Sequence, residues 1–75
     1  DIVIQSIENK FKDAESIDHI DGLSVWFPDW WFNLRASNTE PMVRLNMEAD
    51  SKEILDDKLS IVENELNILG ANKNE

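Results

Sequence analysis

The chain lacks cysteine altogether and has few glycines, prolines, histidines and basic residues: two, two, one and seven in 75 residues, against sixteen acids. Without cysteine, neither disulfides nor thiolate metal ligands can stabilise the fold. The formal net charge of −9 disfavours binding to nucleic acid or to an anionic membrane, which both require a basic surface. Apolar burial must therefore supply the stability, and the length predicts one small domain, residues 1–75, with one core.

Long apolar runs and terminal signals are also missing. No run is long enough to span a membrane, and neither an initiator methionine nor a signal-peptide pattern is present. The start at Asp1 suggests a segment of a longer polypeptide. We expect a cytoplasmic setting, and neither nucleic acid nor membrane as a partner.

A short helix is predicted at the start of the chain. Asp1 suits an N-cap, and Ile4, Ile7 and Phe11 follow at spacings of three and four, which is one stripe of a helix. This helix should fade by about Asp13.

A longer helix is predicted near the other end. It opens at Asp50-Ser51, where Glu53 is placed to form a capping box with Asp50, and it stops at Gly70. Its leucine seam has spacings of four and three and consists of Leu55, Leu59, Val62, Leu66 and Leu69. A coiled coil needs more heptads than this, so the pattern favours packing on a sheet.

Strands are predicted between the helices, where period-two alternation is bounded by turn residues such as Asp21-Gly22 and Pro28-Asp29. The predicted strands are Ser16–Ile20, Leu23–Phe27, Trp30–Ala36 and Met42–Ala49. The fold class is therefore α+β, a small antiparallel sheet of about four strands with two helices packed on one face.

Strand alternation also predicts where the two arginines of the chain point. Phe32 and Leu34 lie on the same face of their strand, and Val43 and its apolar neighbours lie on the same face of theirs. These apolar faces are expected to pack against the helices. Arg35 and Arg44 have the opposite parity. Both guanidinium groups should therefore leave the core on one side, near the bend between their strands.

The bend itself is rich in hydrogen-bond donors. Ser37, Asn38 and Thr39 are turn formers with hydroxyl and amide groups, and Pro41 stiffens the exit by biasing Glu40 towards an extended conformation. Backbone amides of such a bend can form an anion-binding nest, to which an arginine adds a two-pronged contact. Physical reasoning alone supports an anion site and an ordinary solvated hairpin equally.

The run RASNTEPMVRLNMEA, residues 35–49, closely resembles a known phosphate-binding loop and the strand after it. These belong to the C-terminal domain of α-D-phosphohexomutases, nearest the phosphomannomutase/phosphoglucomutase branch, whose loop commonly reads R-x-S-N-T-x-P. Related phosphoglucosamine mutases tend to have Gly where Asn38 stands. The likeness extends over essentially the whole chain, although relatives often have an Asp-Gly hairpin where this chain has Phe27–Trp31.

The resemblance implies a TATA-box-binding-protein-like domain that acts as a mobile lid. Family members are four-domain enzymes that shift phosphate between C1 and C6 of a hexose, and their last domain grips the phosphate that is not transferred. The implied phosphate-binding residues are Arg35, Ser37, Asn38 and Thr39. The implied supporting residues are Glu40, Pro41 and Arg44.

The catalytic phosphoserine, the magnesium loop and the sugar-reading loop of the family belong to its first three domains. The resemblance therefore implies that this domain alone is not catalytic and holds no cofactor, magnesium being bound by another domain of the parent isomerase. Its implied partners are a hexose phosphate (mannose or glucose 1- or 6-phosphate) and the other domains of the enzyme.

A second hypothesis is a stand-alone protein-interaction module. Trp26 and Trp31 have the parity opposite to the apolar face, and they or the leucine seam could bind a partner. The sequence gives less support to a metal site or to a catalytic nucleophile. His19 is expected to be solvated rather than a metal ligand, and Ser37 has no neighbouring base to activate it as a nucleophile.

Overall fold

A computed structural model describes residues 2–36, 42–70 and 72–73. The elements follow the order α1 (Ile2–Lys10), β1 (Ser16–Asp18), β2 (Leu23–Trp26), β3 (Trp30–Ala36), β4 (Met42–Ala49), α2 (Lys52–Ile68) and β5 (Asn72–Lys73).

The strands form one sheet in the order β1-β2-β3-β4-β5. The first four pair antiparallel to their neighbours, which confirms the predicted four-stranded sheet. The two-residue β5 was not predicted, and it pairs parallel to β4 after the chain returns through α2. Two residues are too few for a period-two pattern to show in a sequence.

One core lies between the sheet and the two helices, as the predicted packing on one face requires. The apolar residues at alternate positions of β2 and β3 are buried against the helices, and α1 and α2 supply the opposing apolar side chains. The buried core residues are Ile7, Leu23, Val25, Trp30, Phe32, Leu34, Val43, Val62 and Leu66.

An aromatic cluster closes the core near the β2–β3 hairpin. The Phe11 ring meets Phe27, Trp30 and Phe32 edge-on, with centroid distances of 6.1, 5.9 and 5.2 Å. Phe27 and Trp30 stack face to face at 4.6 Å, and Lys58 of α2 lies 5.7 Å from the Trp30 ring. Edge-on and offset contacts of this kind add to the area that the rings bury.

The hairpin turn is Pro28-Asp29, as predicted. The Phe27 amide donates to the Trp30 carbonyl at 2.8 Å, which closes a two-residue connection, and Asp50 N donates to the Asp29 carbonyl at 2.9 Å. Within the described residues, positive φ occurs only at glycine. The turn is therefore neither a primed type nor type II, because each of those needs positive φ at a central residue.

The helix α1 ends at Lys10, three residues before the predicted end at Asp13. The Phe11 amide is shared between the carbonyls of Ile7 and Glu8, at 3.1 and 3.2 Å. Sharing of this kind is common at helix ends, and here it brings the Phe11 ring into the aromatic cluster.

Two strands are also shorter than predicted. β1 ends at Asp18 instead of Ile20, because its pairing with β2 stops at Asp18 opposite Ser24, and Ile20 is 92% exposed beyond it. β2 ends at Trp26, one residue before the predicted Phe27. β3 and β4 have the predicted bounds.

The N-cap of α2 is Ser51, which corrects the predicted cap at Asp50. Ser51 has extended backbone angles (φ −144°, ψ 160°), and its Oγ accepts from the Ile54 amide at 3.2 Å. Glu53 thus lies in the first turn of the helix but is one position too early to form a capping box with Ser51.

The other end of α2 is as predicted. Leu69 is the C-cap, and Gly70 follows at φ +76°, the left-handed conformation that ends many helices. Val62 and Leu66 of the leucine seam are buried in the domain's own core, which confirms packing on the sheet over a coiled coil. In the described part of the chain, neither helix has the length and apolar character needed to cross a membrane.

The cap assignment makes a stability prediction. Ser51→Ala should lower the free energy of unfolding by about 1 kcal/mol, because the Ile54 amide loses its acceptor. Asp50→Ala serves as the matched control and should lower it by less than half as much, since Asp50 acts on the helix only through its charge. Urea denaturation followed by tryptophan fluorescence measures both; a larger loss in the Asp50 variant would contradict the assignment.

Candidate anion site on the outer face of the sheet

The sheet surface turned away from both helices, here called the outer face, carries most of the polar side chains of the strands. Cross-strand pairing arranges them in rows. The row nearest the Pro28-Asp29 hairpin contains Ser16, Trp26, Trp31 and Glu48; the next contains Asp18, Ser24, Asn33 and Asn46; the third contains Arg35 and Arg44.

The third row places both arginines of the chain side by side. Arg35 of β3 pairs directly with Arg44 of β4, one position in from the last pair, Ala36 and Val43. Both side chains are exposed, as alternation predicted. Like charges directly opposite on paired strands repel each other, so this row destabilises the sheet unless anionic groups lie close to it.

Asp21 supplies one such anion. Its Oδ2 accepts a hydrogen bond from Nη2 of Arg35, and the two side chains are 66% and 48% exposed. Ion pairs this exposed are worth at most about 1 kcal/mol, so the contact matters more for where it holds the guanidinium than for stability. Arg44 forms no ion pair with any residue that the structure describes.

A buried asparagine fixes the backbone that carries Asp21. Asn33 is only 8% exposed, and its Nδ2 donates to the Asp21 carbonyl at 2.6 Å and to Ser24 Oγ at 3.0 Å. Its Oδ1 accepts from Asn46 Nδ2 at 3.4 Å. The second row is thus a hydrogen-bonded chain across three strands, which ties the turn before β2 to the middle of β3.

Gly22 permits this close approach. It has φ +73°, and a Cβ built on it would lie 2.6 Å from the Leu34 carbonyl oxygen and 3.0 Å from Arg35 Cγ. The first distance is too short for any side chain, because the obstacle is backbone. Only glycine can therefore bring the turn against β3 and its arginine at this position.

The predicted site residues are only partly covered by the described segments. Arg35 and Arg44 lie together, whereas the remaining predicted contacts and one predicted helix cap lie outside the described residues: Ser37, Asn38, Thr39, Glu40, Pro41 and Asp1. Sequence reasoning placed Asp21 in a turn and missed its contact with Arg35. It placed Asn33 on the correct face but did not predict its burial.

Metal chemistry finds no support among the side chains described, because no three histidine or acidic residues come together there in a way that could hold an ion. His19 is exposed, as expected, and its Nε2 lies 2.7 Å from Glu8 Oε1. The third row itself offers guanidinium donors, which suit contact with an anion.

Comparison with known proteins gives a consistent result. The family model for "Phosphoglucomutase/phosphomannomutase, C-terminal domain" matches residues 3–64. The chain is 40% identical over 62 residues to a phosphomannomutase of Methanocaldococcus jannaschii and 52% identical over 62 residues to one of Salmonella montevideo, covering 83% and 69% of this chain. It is 38% identical over 52 residues, 68% of the chain, to a probable phosphoglucosamine mutase of Methanopyrus kandleri.

The chain spans only a small part of these relatives. The matched segments make up 14%, 14% and 12% of the lengths of the three proteins. The names of these proteins therefore describe the activity of polypeptides about seven to eight times as long as the matched segment.

Two substitutions distinguish the close approach of Gly22 to β3 from the general preference of glycine for a positive φ. Gly22→Ala should lower the free energy of unfolding by at least about 2 kcal/mol, because a left-handed φ and a clash with β3 act together. Gly70 is the matched control, since it has a similar φ of +76° but open space where its Cβ would lie. Gly70→Ala should cost about 1 kcal/mol in the same urea titration. Equal losses in the two variants would contradict the close approach.

Proposed function

The chain belongs to the phosphoglucomutase/phosphomannomutase C-terminal domain family, and on that premise we propose that it binds the phosphate of a hexose phosphate for a longer enzyme. In this proposal the domain holds the phosphate that is not being transferred while the remaining domains move the other one. The domain binds substrate and does no chemistry of its own.

The observation that carries the proposal is the direct pairing of Arg35 with Arg44. A chain with a formal net charge of −9 contains two arginines in all, and β3 and β4 place them opposite each other on an exposed face. Two positive side chains on directly paired residues are costly alone and favourable beside a dianion, to which Arg35 can donate two parallel hydrogen bonds while Arg44 adds positive charge. The pair therefore favours an anion with several oxygens.

The sequence between the two strands supplies the remaining donors of the proposed site. Ser37, Asn38 and Thr39 follow Arg35 almost directly in the chain and contribute hydroxyl, amide and backbone N–H groups. We assign them as phosphate contacts together with Arg35. Arg44, Glu40 and Pro41 support the site, since a carboxylate at position 40 would repel the anion if it met it directly.

The substrate class follows from the relatives. Proteins similar to this chain are named phosphomannomutase, and one pair from Xanthomonas campestris strains is named phosphohexose mutases. We infer a mannose or glucose 1- or 6-phosphate as the ligand and the other domains of the enzyme as the partner. Any magnesium that the reaction needs is bound by those domains.

Replacing Arg35 in the full-length protein tests the proposal. Arg35→Ala should lower kcat/KM for mannose 1-phosphate by about 10- to 100-fold, mainly through KM, because a charged hydrogen bond contributes about 1.5–3 kcal/mol. Lys52→Ala is the matched control, since it also removes one positive charge, from an exposed helix side chain that pairs with Asp56. Its kinetics should be unchanged. Wild-type kinetics in the Arg35 variant would refute the assignment.

A further inference from the structure

We propose that Asp21 is a positioning residue for Arg35, holding its guanidinium in place to receive a phosphate. The inference rests on the proposed phosphate-binding function and adds a residue to that site. Asp21 lies fourteen residues before Arg35 in the chain and outside the β3–β4 bend, so neither the loop motif nor the arginine pair points to it.

The first step is the anchoring of the Asp21 backbone. Its carbonyl accepts from the buried amide of Asn33 at 2.6 Å, and Asn33 is in turn held by Ser24 at 3.0 Å and Asn46 at 3.4 Å. A buried amide with several partners is costly to displace, because moving it leaves polar atoms unpaired. The position of Asp21 is therefore set by three strands of the sheet.

The second step is the packing of the turn on the arginine itself. Gly22 runs so close to β3 that its missing Cβ would lie 3.0 Å from Cγ and 3.4 Å from Cα of Arg35. The stem of the Arg35 side chain thus starts against the backbone that follows Asp21. Contact at the stem and a hydrogen bond at the tip together restrict a side chain that otherwise has many rotamers.

The third step is the geometry of the ion pair. The contact is made through Nη2, one of the three guanidinium nitrogens, so it does not itself use Nε or Nη1. An end-on partner of this kind orients the planar group while a second anion can approach its other edge. Ligands gain affinity when the groups that receive them are ordered beforehand.

The negative charge of Asp21 also acts against a phosphate ligand, by repulsion and by competition for Arg35. Two features make this effect the smaller one. The Asp21 side chain is 66% exposed, so water and salt screen its field, and Arg44 opposite Arg35 adds a positive charge to the same row. Salt weakens the ordering ion pair as well, but the contact between Gly22 and the stem of Arg35 is steric and does not depend on charge.

The test is a double-mutant cycle in the full-length protein, with mannose 1-phosphate binding measured by calorimetry and kcat and KM measured in parallel. Asp21→Ala should raise the dissociation constant about two- to fivefold, as expected for the loss of one exposed ion pair, and should raise KM with little change in kcat. It should have no further effect in the Arg35→Ala background. Asp21→Asn, which keeps the shape and the backbone anchor, should give a smaller shift in the same direction.

Asp13→Ala is the matched control, because it removes an exposed carboxylate from the turn after α1 and should leave binding unchanged. The positioning role of Asp21 would be refuted by unchanged or tighter binding in both Asp21 variants, or by an Asp21→Ala effect that persists in the Arg35→Ala background. Either result would leave the proposed phosphate-binding function standing. If Arg35→Ala itself binds mannose 1-phosphate as the wild type does, the proposed function fails instead. Circular dichroism of each variant confirms that the compared proteins are folded.

Discussion

The antiparallel register of β3 and β4 is the constraint on which the rest of this structure depends. It pairs Phe32 with Met47 and Leu34 with Leu45 on the helix side, and the same register necessarily pairs Asn33 with Asn46 and Arg35 with Arg44 on the outer face. Because side chains alternate with a period of two, a slip of one residue would move the arginines into the core and the apolar side chains into water. The core thus fixes the arginine pair, since the large energy of apolar burial outweighs the small repulsion between two exposed charges.

The polar groups of the outer face are connected to this register by the turn before β2. Asn33 is buried because it lies under that turn and bonds its carbonyl, while the carboxylate of Asp21 reaches Arg35. No buried side-chain nitrogen or oxygen in the described residues lacks a hydrogen-bond partner, so the amides are held in one arrangement. Among the proposed phosphate contacts, Arg35 is thus carried by a paired strand and not by a loop, which favours a fixed position for its side chain.

Sequence alone predicted the parts of the fold that depend on long apolar patterns. β3 and β4 have the predicted bounds because strands of seven and eight residues are long enough for the period-two alternation to be recognised. The position of α2 was predicted from the spacing of its leucine seam. Short-range competition decided the error at the start of α2: the Ile54 amide donates to the hydroxyl of Ser51 and not to the carboxylate of the neighbouring Asp50. Asp21 could not be assigned to Arg35 because a contact across fourteen positions depends on the β2–β3 register and on the backbone of Gly22, and neither is visible in composition or spacing.

A strongly acidic domain can still hold an anion, because distance and screening separate its charges. Many of its acids lie on α2, on the opposite side of the sheet from the arginine pair. The sheet lies between these acids and the arginine pair, and the Debye length at physiological salt is only about 8 Å. The field at the outer face is therefore set by its own row of side chains more than by the net charge of −9. The same net charge disfavours nonspecific polyanions, which would have to contact the acidic surface as well, whereas the proposed ligand, a small phosphate ester, would contact only the outer face.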